Sequence, residues 1–482
     1  MTSHGAAANC EGNPLRRPDT TAWPESDGRP AGSLRVGVWH NTWVPQTSKG
    51  MLVNWLCAVS VVLLGTVNLW KVASIREFFP VDLTAASAAL AGAVALGVWA
   101  ASRWRLERAW LPLAIGFASF APAMAVTSLN HPYSVEKARY LFTLSLLCAA
   151  APMVVLTNEY RRRAFLVLLV GLGSIVSVWL LVAGAKSPLS GRVGIEDGSP
   201  IGLSRVACLV VAILGIAVFH WEGRRRLYAL ATIVVAAGAA AITGSRGPLA
   251  SAILGTLLVV ALTDRGALHL HAMRRGAHDP KIRTRILAIG GVVVVSAGAA
   301  LLWITPARAL ARLFALGGPS DVMRIQFLKE SSLVALQHPF GVGWGDLAAY
   351  LSAAARKYSV GDHVYPHNVF VEVAAEGGVI ALAGMVYLLV VSWRRLYAAA
   401  SAPAARALLA VWVLAVGSAM TSSDVIGNRL MWMMIGVGLA YPQLDRRLRR
   451  ERHLRRSKPD PLRQTKATFG AGQEPTESQV SL

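Results

Sequence analysis

Long apolar runs separated by short polar stretches set the pattern of the chain. Twelve windows stand out, at about 51–70, 82–101, 109–127, 139–156, 164–184, 203–220, 226–243, 247–263, 285–304, 368–392, 404–420 and 429–442. Each is close to the roughly 20 apolar residues that a helix needs to cross a hydrocarbon core, although the last is short. The pattern predicts an all-α, polytopic membrane protein of about 12 transmembrane helices with one large outer loop that contains amphipathic helices. Residues 1–50 are expected to form a disordered cytoplasmic tail and 51–304 transmembrane helices 1–9. The large loop would run from 305 to 367, helices 10–12 from 368 to 442, and a basic cytoplasmic tail from 443 to 482.

Composition supports a bilayer as the solvent. The chain is 54% hydrophobic and 15% charged, too apolar for an ordinary soluble layer architecture. Its net charge of +22 raises nucleic acid as a partner, but the position of the charge argues otherwise. Basic clusters such as Arg103, Arg105 and Arg108, or Arg161, Arg162 and Arg163, fall between windows on one side of the layout. This is the positive-inside pattern, and it puts both termini in the cytoplasm. The tail RRLRRERHLRRSK is then explained as a topology and lipid-headgroup anchor, so no nucleic-acid partner is expected. Of the four cysteines, Cys57, Cys148 and Cys208 lie in apolar windows and Cys10 in the tail, which is no disulfide framework. The first fifty residues contain no apolar core of a signal peptide.

The segment 305–367 is long for a membrane protein otherwise crossed by short connections. Within it, DVMRIQFLKESSLVALQ places Val322, Ile325, Leu328, Ser332, Ala335 and Leu336 on one helical stripe, with Arg324 and Lys329 off it. DLAAYLSAAARKY groups Leu347, Tyr350, Leu351, Ala354 and Tyr358 behind an Asp346 N-cap. Both read as amphipathic helices on the membrane face. They are joined by HPFGVGWG, where Gly341, Gly343 and Gly345 permit positive φ. His363 and His367 have the spacing of a helical zinc pair, but Pro366 between them disfavours that geometry, and no metal site is expected.

Three outer-side features carry candidate chemistry. His367, with Asn368 beside it, stands at the mouth of the tenth helix, where a neutral imidazole suits general-base work. The bland alternative is an interfacial histidine satisfied by a backbone carbonyl. Arg246, in the tight ITGSRGPLA hairpin, sits at or just inside the boundary, where a charge is costly unless it is paired or faces water; snorkelling to headgroups is its alternative. Arg324 and Arg205 are of the same kind, and Arg324 also reads as a solvated face residue. Guanidinium groups match phosphate oxygens, so arginines beside one histidine suggest a pyrophosphate held next to a base. Glu372 and Glu376 are expected to face the cavity or pair with basic groups, with a proton relay as the sharper alternative.

TGSRG between two apolar helices, Arg324 leading into HPFGVGWGDL, and HNVFVEVAAEGGVIAL resemble in their order the O-antigen ligase and polymerase superfamily of membrane glycosyltransferases. The motifs span roughly residues 200 to 390. The resemblance implies sugar transfer at the periplasmic face of the bacterial inner membrane, from an undecaprenyl-diphosphate-linked glycan to an acceptor hydroxyl, with inversion and without metal or cofactor. The acceptor is lipid A core in the ligase branch, favoured here, and a lipid-linked glycan in the polymerase branch. By the same resemblance His367 activates the acceptor, and Arg246 and Arg324 engage the donor diphosphate. Arg205, as a further diphosphate ligand, and His338, as a supporting residue like Asn368, gain only positional support. The family often has HPHN where this chain has YPHN. A transporter, which would place its charged groups near the bilayer midplane, is the rival from another class.

Overall fold

The computed structural model describes residues 48–79, 81–102, 110–186, 193–195, 198–275, 319–356 and 364–441. Residues 1–47 of the expected N-terminal tail, the C-terminal tail, the window at 285–304, the loop segment 305–318 and residues 357–363 with His363 lie outside the described residues, while Ser48–Gly50 open the first helix and not a tail.

The chain is an all-α polytopic membrane protein. It begins with α1 (Ser48–Trp70), a short α2 (Ala73–Phe78), α3 (Leu83–Ala101) and α4 (Trp110–Ala118), which ends in a 3-10 turn at Pro122–Ala125. Next, α5 (Pro132–Tyr140) runs through a π turn at Leu141–Ser145 into α6 (Leu146–Val155). Then come α7 (Glu159–Ala183), α8 (Pro200–Ala217), α9 (Gly223–Ile242) and α10 (Arg246–Arg275). The loop contributes α11 (Pro319–Gln337), α12 (Leu347–Tyr350) and α13 (Ala353–Arg356). Last are α14 (Val369–Ala398), α15 (Pro403–Ala419) and α16 (Arg429–Tyr441). Among the described residues, eight helices are long and apolar enough to cross a membrane, and three shorter apolar helices accompany them. Each of the eleven coincides with one of the expected windows. A two-stranded antiparallel pair, Ala185–Lys186 with Val193–Gly194, lies between α7 and α8.

Helix α8 is the centre of the bundle and packs against α7, α9, α10 and α15. Apart from Ser204 and Arg205 its sequence is apolar around the whole circumference, which suits a helix with protein on every side. Its apolar stretch is 89% buried, against 17% for the peripheral α3.

Two expectations about local structure are corrected. The fourth span starts at Pro132, several residues before the apolar window, so Lys137 belongs to a helix and not to an outer connection. The stretch after Asp346 is not one amphipathic helix but two single turns, α12 and α13, separated by an extended Leu351 (φ −87°, ψ 153°). Asp346 does not cap α12 with its side chain. Its oxygens accept instead from Ser128 N at 2.7 Å and Ser134 Oγ at 2.6 Å, tertiary partners that a local capping pattern cannot anticipate. Ser352 orders the following turn, accepting from Ala355 N at 3.2 Å while its own N–H and hydroxyl donate to Glu330.

The loop builds a small core of its own. Phe327 and Val334 of α11 pack with Val342, Leu347, Leu351, Ala355 and Val364 against Ala375 of α14. The stripe Val322, Ile325, Leu328 and Leu336 stays on the outside of the protein. HPFGVGWG is pinned by Trp344, fully buried, whose indole N–H donates to Phe120 O at 3.1 Å. This loop also repairs a break in α14. Gly378 there has φ 75° and ψ −176°, far from helical values. The exposed backbone groups are met by Val342 N to Ala375 O and Gly343 N to Glu376 O, both 3.0 Å, and by Val379 N to Pro339 O at 2.8 Å. Non-helical backbone at this depth is tolerated because neighbouring protein satisfies it.

Candidate active site at the loop-bearing end

The hairpin between α9 and α10 is as tight as its sequence predicts: α9 ends at Ile242, Gly244 takes φ 67°, and α10 begins at Arg246. The turn 244–248, Ile201 on α8, Arg324 on α11, and Thr421 and Ser422 after α15 together line one cleft. Arg246 and Arg324, from distant parts of the chain, are thus brought to one wall. Arg324 also donates from Nη1 to Thr421 O at 3.4 Å. Gly247 permits the close approach, since a Cβ there would meet Thr421 Oγ1 at 2.3 Å. The N-terminus of α10 lies at the same cleft, so two guanidinium groups and a helix dipole favour an anion there.

His367 stands where the loop turns into α14. Its φ of 55° is left-handed, a conformation histidine adopts more readily than most residues. Asn368 follows as N-cap, its Oδ1 accepting from Phe370 N at 3.0 Å and Val371 N at 3.3 Å. Asn368 therefore starts the helix and fixes the turn that follows His367. Burial, and next the charge of Arg324, hold the His367 imidazole down to about 4, so the ring is neutral near pH 7. Its Nδ1 is buried and has no hydrogen-bond partner, so that nitrogen is not the carbonyl-satisfied one of the bland reading. The Tyr365 ring meets it edge-on with centroids 4.6 Å apart. Burial, then the negative fields of Asp424 and Glu372, push the Tyr365 phenol upward, against the opposing charges of Arg324 and Arg205.

Arg205 occupies a different layer. It is one helical turn below Ile201 on α8, 3% exposed, and its Nη2 donates to Ser418 O at 2.9 Å, Ser422 O at 2.8 Å and Ser422 Oγ at 2.7 Å. It braces the end of α15 from behind the cleft wall and acts on the cleft through Ser422. His338 lies apart from these groups, with its ring against Tyr350 at 5.0 Å between centroids.

The two glutamates of α14 are paired with a basic group that the sequence reading did not single out. Lys137 Nζ lies 2.6 Å from Glu372 Oε1 and 2.7 Å from Glu376 Oε2, with all three side chains fully buried. Glu372 Oε1 also accepts from Val425 N at 3.0 Å, and Glu376 Oε2 from Gly345 N at 2.9 Å. The triad therefore ties together α5, α14, the glycine loop and the connection after α15. That same connection carries Asp424, which accepts from Tyr133 OH at 3.3 Å and Gly427 N at 2.8 Å. Lys137 was missed because Glu136, Lys137 and Arg139 lower local hydropathy, so the region read as an outer connection. Two acids in the first turns of α14, whose own cations Arg394 and Arg395 stand only at its far end, were the available signal. Among the described residues no group of three or more His, Cys, Asp or Glu side chains is placed to hold a metal ion.

Residues 231–386 match the family model for O-antigen ligase. The matched segment contains Arg246, Arg324, His367, Asn368, Glu372 and Glu376, and excludes Lys137, Arg205 and Asp424. No curated protein and no solved structure matches the chain. Together with the all-α polytopic fold, this match over about a third of the chain supports the O-antigen ligase superfamily and a membrane glycosyltransferase-like function.

Proposed function

We propose that the protein is an O-antigen ligase-type glycosyltransferase. It moves a glycan from undecaprenyl diphosphate to a hydroxyl of lipid A core, at the periplasmic face of the bacterial inner membrane and with both termini cytoplasmic. The observation that carries this reading is the convergence of Arg246 and Arg324 on one cleft, with the neutral His367 imidazole inside the field of Arg324.

In the proposed step, the donor diphosphate lies against Arg246, Arg324 and the N-terminus of α10. His367 takes the proton of the acceptor hydroxyl as the oxygen forms its bond to the anomeric carbon. The bond from that carbon to the diphosphate oxygen breaks, and its electron pair leaves with undecaprenyl diphosphate, inverting the centre. The arginines supply the charge neutralisation that makes the diphosphate a good leaving group. A base held at about 4 is weak, and the pairing with Arg324 offers a remedy. A diphosphate on Arg324 offsets one cause of the depression, so His367 becomes more basic only when donor is bound. Arg205, through Ser422, and the Lys137 triad position this machinery without touching substrate.

Reconstitution tests the reading. Purified protein is supplied with an undecaprenyl-diphosphate-linked glycan and lipid A core, and products are separated on a gel. Core-linked glycan is the expected product. Elongated lipid-linked glycan in the absence of core would instead make the enzyme a polymerase, and no transfer in either assay would reject the glycosyltransferase reading.

A further inference from the structure

One hydroxyl in the lining of the cleft has no part in the transfer step. Ser245 stands immediately before α10 and lines the cleft beside Arg246. The residue is 5% exposed, and its Oγ is buried without a hydrogen-bond partner. The other hydroxyls of the lining are engaged. Thr421 donates from Oγ1 to Ser418 O at 3.2 Å, and Ser422 Oγ accepts from Arg205 at 2.7 Å while donating to Ser418 O at 3.3 Å.

Local sequence explains why this hydroxyl is left over. A serine just ahead of a helix ordinarily turns back to accept from the N–H of the second or third helical residue. In SRGP the third position of α10 is Pro248, which has no N–H to give. The turn is held instead by Thr243, whose Oγ1 accepts from Ser245 N at 3.2 Å and donates to Ala240 O at 2.7 Å. The side chain of Ser245 is thus not needed to shape the hairpin. A buried hydroxyl without a partner lowers stability, because the hydrogen bonds it gave up to water are not replaced. Alanine would fit the same backbone without that penalty, so the fold alone gives no reason for a hydroxyl here, whereas a ligand in the cleft does.

The surroundings define the kind of ligand. Arg246 and Arg324 make the cleft cationic, which favours an anion whose oxygens only accept hydrogen bonds. A serine O–H is a donor that such an oxygen takes. It also swings among staggered positions about a single χ1 bond, so it can reach into the cleft without moving the backbone. We propose that Ser245 is a further donor-binding residue, its hydroxyl donating to a non-bridging oxygen of the diphosphate that Arg246 and Arg324 hold. This rests on the glycosyltransferase reading and adds to it a neutral ligand that neither arginine can replace.

Transfer kinetics and melting of wild type, Ser245→Ala and Ser245→Thr test the assignment. Loss of a hydrogen bond to a charged group should raise donor KM about tenfold in Ser245→Ala and leave KM for the lipid A core acceptor unaltered. Ser245→Thr keeps the hydroxyl and should recover part of that loss. In the absence of substrate, Ser245→Ala should melt at or above the wild-type temperature, since it removes an unsatisfied buried group. A donor KM equal to that of wild type overturns the proposal. So does a lowered melting temperature with equal rises in both KM values, the mark of a serine that only shapes the turn.

A binding arm is independent of transfer. Undecaprenyl diphosphate in detergent should raise the melting temperature of wild type more than that of Ser245→Ala, as tighter binding to the folded state requires. Equal shifts, or no shift in wild type, overturn the assignment. Failure of wild type to transfer to any acceptor would instead reject the glycosyltransferase reading, while this arm would still decide whether Ser245 binds a diphosphate.

Discussion

Lys137 and Glu372 form a 2.6 Å ion pair inside the bundle, with both side chains 0% exposed and Glu376 completing the group at 2.7 Å. One cation thus joins two acids on successive turns of α14 to a helix from the first half of the chain. Breaking a buried pair by removing one partner costs about 3–5 kcal/mol, because the remaining charge has no compensation. Lys137→Met is therefore expected to lower the melting temperature of the detergent-solubilised protein sharply. The triple variant Lys137→Met/Glu372→Gln/Glu376→Gln should recover much of that loss, and a triple variant no better than the single would show that the charges are not what Lys137 balances.

His367→Asn tests the base without disturbing the turn. Asparagine accepts the left-handed backbone that His367 adopts at φ 55°, whereas alanine would add strain. Transfer is expected to fall by about 10²- to 10⁴-fold, the usual contribution of a general base, with unaltered expression and melting temperature. Retained transfer at the wild-type rate would remove His367 from the mechanism.

Proton linkage at the same residue has a definite sign. The folded-state pKa of about 4 lies below the ordinary histidine value of 6.5, so the unfolded chain takes up the proton first as pH falls. The stability tied to the neutral ring is complete above pH 6.5 and is lost progressively between 6.5 and about 4. Melting temperatures measured across that window should drop less steeply for His367→Asn than for wild type. Parallel slopes would mean that another group governs the acid limb.

Arg324→Gln removes one cause of the depressed His367 pKa, so the imidazole should titrate at higher pH in the variant, as read from its ring NMR signals. The same change removes a charged hydrogen-bond donor from the cleft. Such a bond contributes about 1.5–3 kcal/mol, so donor KM should rise roughly tenfold to a hundredfold. Arg246→Gln should raise donor KM comparably and leave the His367 titration in place. A shift of the His367 titration in both variants would mean that the Arg324 charge is not specific to it.

Gly378→Ala is expected to be among the most damaging single-methyl additions. The position has φ 75°, and an added Cβ would meet Phe340 C at 2.4 Å, where the neighbour is backbone and cannot rotate away. Separation of the HPFGVGWG loop from α14 should follow, costing about 1–3 kcal/mol from the backbone strain alone. Faster proteolysis within the loop, together with a lower melting temperature, would report it. An unchanged cleavage pattern would show that the loop docks without the break in α14.

Local pattern was enough to place the spans, because burial in lipid is decided by the hydropathy of one segment at a time. Windows such as 82–101 and 247–263 therefore return as α3 and the first part of α10. The same locality made Arg246 and His367 legible, since a charge in a tight hairpin and a histidine at a helix mouth are unusual wherever the rest of the chain lies. A shared diphosphate was expected from their common side and from the resemblance, but the geometry of their assembly was not legible. That Arg324 shares a cleft with Arg246, that Arg205 braces Ser422 from behind, and that Asp346 holds the 128–134 turn instead of capping its own helix are facts of segments distant in sequence. Lys137 shows the reason most clearly. Read alone, a lysine subtracts from the hydropathy of its helix and argues for an exposed connection. Only when the fold brings Glu372 and Glu376 to it does the buried charge become tolerable, because the energy of an ion in a low-dielectric interior depends on its partners and not on its neighbours in sequence.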